Sequence, residues 1–292
     1  SDVCSSDLMS SPLFTQMITY SIHKNVGSFM GVYSLVNCFG GVLATSVFTY
    51  CLGKYGFPLN FRMAFLFGTV MAVVSTITVA IFLREVTDDR VREHIQFRDV
   101  FQIGVQILRE NGPFRRFVVS RVIAGAADFT VPYYILYVAD LPGTPQSFLG
   151  IMATVYLASK MIASALFGKL ADKFGTMVLL RIGCICGITA AALALLITDY
   201  RLSVIFYCIL AFGVQGVYMA NSIASLEFSQ QKRTPFYAAI IGVCCAPIVI
   251  LTSFTGAAIA KAFSFRMIFG VAIGIYLLAY LSSGSLKNRN RD

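Results

Sequence analysis

Eight apolar stretches, each about 20 residues long, constrain this 292-residue chain more than any other feature. They fall at roughly 28–50, 63–83, 117–139, 148–168, 176–198, 202–224, 237–260 and 267–284. Five of them (28–50, 63–83, 202–224, 237–260 and 267–284) contain no Asp, Glu, Lys or Arg. A helix of that length crosses the hydrocarbon core of a bilayer, and a core helix of a water-soluble protein rarely runs so far without charge. Composition agrees: 57% of the residues are hydrophobic and 13% charged, too little charge to clothe a soluble domain. The chain is therefore predicted to be an all-α, multi-pass integral membrane protein with about eight transmembrane helices, in contact with the lipid bilayer.

The formal net charge of +9 invites a nucleic-acid reading, but the basic residues are not gathered with aromatics on one soluble face. They sit between the apolar windows, and they alternate. One set of loops and the tail holds Lys24, Arg84, Arg90, Arg92, Arg98, Arg109, Arg115, Arg116, Lys169, Lys173, Arg181, Lys232, Arg233, Lys287, Arg289 and Arg291; the other holds Lys54, Arg62, Arg201, Lys261 and Arg266. Cytoplasmic loops carry the excess of Lys and Arg, so the 84–116 connection and the C-terminus are expected in the cytoplasm. A bacterial inner membrane and no nucleic-acid partner follow as expectations.

Cysteine points to no metal. Cys38, Cys184, Cys186, Cys208, Cys244 and Cys245 lie inside apolar windows with Cys51 at an outer end, and the histidines His23 and His94 are remote in sequence. Small buried residues account for them better than a ligand set, and no cofactor is expected.

Residues 1–8, Ser1-Asp2-Val3-Cys4-Ser5-Ser6-Asp7-Leu8, resemble a sequencing adapter read in frame and have neither the basic start nor the apolar run of a signal peptide. They are set aside, with Met9 expected to be internal. Farther on, Phe61-Arg62-Met63-Ala64-Phe65 returns as Phe265-Arg266-Met267-Ile268-Phe269, each opening an apolar window. Upstream of each lies an outer loop, an uncharged window and a basic inner loop, so the order of features repeats and predicts two homologous halves. The predicted organisation is 9–83 as the remnant of an N-terminal six-helix bundle, 84–114 as a cytoplasmic linker, 115–284 as a C-terminal six-helix bundle and 285–292 as a tail. Within the linker, Phe97, Val100, Phe101, Gly104, Ile107 and Leu108 fall at helical spacing, with Arg98, Asp99, Gln102 and Arg109 elsewhere. That pattern predicts an amphipathic helix on the inner membrane surface.

Gly168-Lys169-Leu170-Ala171-Asp172-Lys173-Phe174-Gly175 occupies the short basic loop between the second and third windows of the second half. It resembles the G-x-L-[AS]-D-[RK]-x-G signature of the major facilitator superfamily, at the place where that family carries it. The resemblance covers residues 9–286 and implies a 6+6 helical bundle whose halves rock around a central cavity. The last two helices of the first half and all six of the second would be present. It also implies a gating role for Gly168, Asp172, Lys173 and Gly175, in a loop that latches helices in one state. Where the family continues with basic residues, this chain has Thr176 and Met177, with Arg181 further on. A looser latch, or one completed by the first half, is implied.

Ionisable residues at membrane depth are costly and are candidates for function. Asp128 and Lys160 lie in adjacent windows that form a hairpin, at depths from which they could meet. Lys160 shares a helix face with Tyr156 and Ser164. Two readings fit: the pair lines a cavity and handles a polar solute or a proton, or it is a static buried pair that sets helix packing. Arg121 shares a face with Asp128 and is read as reaching back to the inner surface. Gln215, Tyr218, Asn221 and Ser222 fall on one arc of window 202–224, suited to a neutral polar ligand or to helix contacts. Tyr133 and Tyr134, after Pro132, are either kink-borne cavity rings or an interfacial belt, the belt being favoured by nearby Asp140. Gly27/Gly31, Gly183/Gly187 and Gly270/Gly274 are each spaced for close helix contact. Pro235 reads as a helix start and Pro247 as a kink.

A secondary transporter of a small solute, with a proton or cation as coupling partner, is the function these features favour; the protein is expected to be a monomer and not to be an enzyme. A transporter-like sensor or assembly protein that moves no solute is the alternative. Membrane-embedded hydrolysis would need paired carboxylates with His near one face, and nothing in the sequence resembles a phosphate-binding loop. A green fluorescent protein fused after Asp292 should fluoresce and alkaline phosphatase fused there should be inactive, with the reverse for fusions after Arg201. The opposite pattern would invert the topology.

Overall fold

A computed structural model of the chain describes residues 26–54, 58–83, 97–229, 234–262 and 264–284. The adapter-like residues, most of the charged stretch before Phe97 and the tail lie outside the described residues. All regular structure within them is helical: α1 (Val26–Lys54), α2 (Leu59–Leu83), α3 (Phe97–Glu110), α4 (Gly112–Ala126), a 3-10 turn (Asp128–Thr130), α5 (Val131–Asp140), α6 (Gln146–Phe174), α7 (Thr176–Leu196), α8 (Ser203–Ser229), α9 (Thr234–Ala262) and α10 (Phe265–Ser283). Every apolar window is helical. Six segments, Val26–Val47, Gly112–Asp140, Phe148–Phe174, Thr176–Leu196, Ser203–Ser229 and Phe265–Ser283, are long and apolar enough to cross a membrane. In α2 and α9 the apolar runs among the described residues are shorter, Phe65–Thr78 and Phe236–Thr252.

Window 117–139 is not one unbroken helix. Pro132 has no N–H to give the carbonyl of Asp128, four residues back, and its ring crowds that carbonyl. The N–H of Val131 bonds the Asp128 carbonyl instead, and Thr130 donates both its N–H and its hydroxyl to the carbonyl of Ala127, at 3.0 and 2.8 Å. The chain tightens to 3-10 geometry for one turn and resumes as α5. Asp128 thus sits at a break near the middle of the span.

The core is shared by α4 to α10. Tyr134 on α5 is fully buried, its ring centroid 4.6 Å from Phe269 of α10 and 5.9 Å from Phe206 of α8. The expected aromatic belt therefore does not include Tyr134: the turn of helix after the break aims it into the bundle. At the start of α9, Pro235 lies in the first turn as expected, and Phe114 of α4 stacks on Tyr237 there, centroids 4.6 Å apart. The linker helix α3 also differs from expectation. Ile107 is buried and Gly104 approaches Ile240 of α9, so its apolar stripe lies on the bundle rather than on lipid alone.

Glycines decide where helices touch. A Cβ on Gly183 of α7 would stand 2.7 Å from Val217 Cγ2 and 3.0 Å from the Gly213 carbonyl oxygen of α8, and one on Gly187 would stand 2.6 Å from the Tyr276 ring of α10. Gly270 and Gly274 meet nothing within 4 Å among the described residues, so the close contact expected there is absent. The repeated Phe-Arg-Met opening lies in the first turns of α2 and α10, with Phe269 buried and Phe65 exposed; α2 packs chiefly on α1. Gly183→Ala should cost about 1–3 kcal/mol by overpacking, seen as a lower unfolding temperature in detergent, while Gly270→Ala should be neutral. Equal effects would show that the α7–α8 contact is not close-packed.

Candidate functional site

Helix α1 lies along α6 in a seam built from small and polar residues. As α1 climbs through Gly27, Gly31, Ser34, Cys38 and Gly41, it meets Asp172, Gly168, Ser164, Lys160 and Leu157, taken in reverse order along α6. A Cβ on Gly31 would lie 2.9 Å from the Ser164 carbonyl oxygen, and one on Gly168 2.8 Å from that of Gly27. Side-chain-free positions at three- and four-residue spacing let the two backbones meet.

At the basic-loop end, Asp172 closes the seam. Its Oδ1 accepts the Gly27 N–H at 2.7 Å, and its Oδ2 accepts the Ser28 N–H at 2.8 Å together with the Ser28 hydroxyl. A carboxylate at a helix N-terminus satisfies otherwise unpaired N–H groups and complements the positive end of the helix dipole. One turn on, Gly175 (φ +80°) ends α6 and starts α7, a left-handed conformation that glycine adopts without strain. The Thr176 N–H donates to Glu227 Oε2 at 2.9 Å and its hydroxyl donates to the same oxygen. Glu227, at the end of α8, went unnoticed in the sequence because nothing local marks it. Lys173 is exposed, its Nζ 5.2 Å from the Phe174 ring centroid.

Higher along the seam, Gln215 of α8 donates from Nε2 to the hydroxyls of Ser34 at 2.6 Å and Ser164 at 2.9 Å, and the two hydroxyls lie 3.2 Å apart. Gln215 is 1% exposed. The structure places it in a three-helix polar contact joining α1, α6 and α8, not on an open wall. Its neighbours on the predicted arc diverge: Tyr218 is 40% exposed, and Asn221 is half-buried with its Oδ1 lacking a partner among the described residues.

Asp128 and Lys160 are not paired. Lys160 Nζ lies 5.6 Å from the Tyr156 ring centroid and within electrostatic range of Cys38 on α1. Tyr156 in turn packs against Tyr207 of α8, centroids 5.2 Å apart. The partner of Asp128 is Arg121, whose Nη2 lies 3.7 Å from Oδ2. Arg121 does not reach back to the basic end. Its guanidinium runs forward along α4 over Gly125, where a Cβ would stand 2.7 Å from Nη1. Within electrostatic range of Asp128 are Tyr156 from α6, Cys184 from α7, Cys245 from α9 and Tyr276 from α10. A partly exposed ion pair can exchange partners, which a fully packed pair cannot.

The Asp172 contact is directly testable on native Cys38, which is 8% exposed in the seam. Asp172→Ala should remove about 1–2 kcal/mol from the closed seam. Maleimide labelling of Cys38, resolved by peptide mass spectrometry, should then rise about 5- to 30-fold. Unchanged labelling would mean that the contact does not hold the seam.

A search of curated proteins finds no match. The family model described as Major Facilitator Superfamily matches residues 117–286, more than half of the chain. That stretch holds the broken α4–α5 span, the Gly168–Gly175 turn and the whole bundle through α10. The chain belongs to the Major Facilitator Superfamily of membrane transporters.

Proposed function

We propose that this protein moves a small solute by alternating access, coupled to a proton, with its basic loops and C-terminus in the cytoplasm of a bacterial cell. The observation that carries this reading is the Asp128–Arg121 pair at the break of the α4–α5 span. A carboxylate in a low-dielectric site keeps it neutral in one of two ways, by an ion pair or by a proton. Asp128, 36% exposed, has access to both. Lys160 and Tyr156 extend the polar path from Asp128 to the seam, and Tyr218 and Asn221 add hydrogen-bonding groups on α8.

Alternating access needs a contact that opens and closes, and the α1–α6 seam suits that role. In this reading α1 and α2 end a first six-helix bundle, and residues 115–284 form the second. Gly168, Asp172 and Gly175 hold the cytoplasmic end shut, with Lys173 exposed beside them. The Asp172 bonds to Gly27 and Ser28 complete the latch from the first bundle, which supplies what the absent basic residues at Thr176 and Met177 leave out. Opening that end trades these bonds for water, so the contact is strong enough to hold and reversible.

Proteoliposomes holding the full chain should take up its solute faster under an inward proton gradient. Asp128→Asn should abolish the gradient's effect while binding persists, and Lys160→Ala should slow uptake at least 10-fold. Full gradient-driven activity in both variants would remove Asp128 and Lys160 from the pathway.

A further inference from the structure

Arg121 carries more donors than the protein satisfies. A guanidinium offers five N–H groups in a planar fork. Nη2 is 3.7 Å from Asp128, beyond hydrogen-bond length, and Nε and Nη1 are buried with no acceptor among the described residues. Orphaned donors on a buried charge are expensive, and a membrane span makes them more so. The surroundings accommodate the group all the same: Gly125 yields the space that any side chain would deny Nη1. The pair also opens on one side, the Arg121 side chain being 13% exposed and that of Asp128 36%.

We infer that Arg121 anchors an anionic group of the transported solute, a carboxylate or a phosphate. The inference rests on the transport reading above and names the solute class for the same site. Both edges of the fork, Nε–Nη2 and Nη1–Nη2, share the nitrogen that faces Asp128. A bidentate anion therefore uses one Nη2 N–H whichever edge it binds and competes with Asp128 for the charge of Arg121, and the side chain turns its fork toward the open side. Charge stays balanced for a monoanion when one proton joins the Asp128 carboxylate: Arg121 and Asp128 start as a neutral pair, and a monoanion and a proton together add no net charge. A phosphate balances in the same way when it binds as its singly charged form, keeping its second proton. A cationic solute would be repelled by Arg121, and a neutral one would fill the orphaned donors only with weaker, uncharged acceptors.

The test is thermal unfolding of the full chain in detergent, followed with a thiol-reactive dye that reports exposure of buried cysteines. Lactate and benzoate form the carboxylate arm and glycerol 3-phosphate the phosphate arm, with glucose and choline as neutral and cationic controls at constant chloride. At least one anionic arm should raise the unfolding temperature by about 3–5 °C near saturation. Arg121→Gln should abolish that shift. Asp128→Asn, which removes the competing carboxylate, should enlarge it, and this variant carries the test should Arg121→Gln not fold. No shift in either anionic arm overturns the inference, as does a shift that survives Arg121→Gln, one produced equally by glucose or choline, or a smaller shift in Asp128→Asn. Anion binding by a protein that moves no anion in proteoliposomes would leave the site standing and sink the transport reading alone.

Discussion

The contact between α1 and α6 organises the rest of the molecule. It is close because Gly27, Gly31 and Gly168 carry no side chains where the backbones meet, and it is specific because polar groups are matched along it. Asp172 takes the free N–H groups at the start of α1, and Gln215 ties Ser34 to Ser164. In lipid there is no hydrophobic force between apolar helices, so packing and hydrogen bonds must do the holding. A seam of this make-up has few interlocked side chains to break, and its polar groups can be rehydrated as it parts. Both properties suit a contact that opens repeatedly.

The second organising feature is the break at Asp128. Pro132 removes one hydrogen bond from the span, and the repair by Val131 and Thr130 shifts the register for a single turn. That small change places a carboxylate beside Arg121 and drives Tyr134 into the aromatic cluster with Phe206 and Phe269. Lys160 and Arg121 are handled differently. Lys160 lies against the face of Tyr156, where a point charge gains from the ring quadrupole. Among the described residues Arg121 is left with a single distant partner, although its fork is shaped for two close bonds.

Much of the fold was legible because bilayer physics acts through length and local composition. Each apolar window became helical, 117–139 with a break at Asp128; the amphipathic spacing at 97–108 became α3, and Gly168–Gly175 became the end of α6 and its tight turn into α7. The candidate site was legible only residue by residue. Asp128, Lys160, Asp172 and Gln215 stand out as polar groups in apolar or glycine-rich surroundings, yet none names its partner. Asp128 meets Arg121 rather than Lys160, because the side chain of Arg121 runs toward the membrane centre over a glycine. Glu227 carries no local signal at all: its role exists only because the end of α8 comes to the start of α7.

By itself, then, the sequence determined that this chain lives in a membrane, which segments are helical, where the spans turn and which costly polar residues they carry. Those properties follow from hydropathy, period and the chemistry of Gly and Pro over a few neighbouring residues. Only the tertiary structure decided which of those residues face one another. That choice depends on helix rotation and on differences of a few tenths of an ångström in the approach of residues more than 100 positions apart, such as Gly27 and Asp172. A lone glycine, or a lone arginine, looks the same in sequence whichever neighbour it meets.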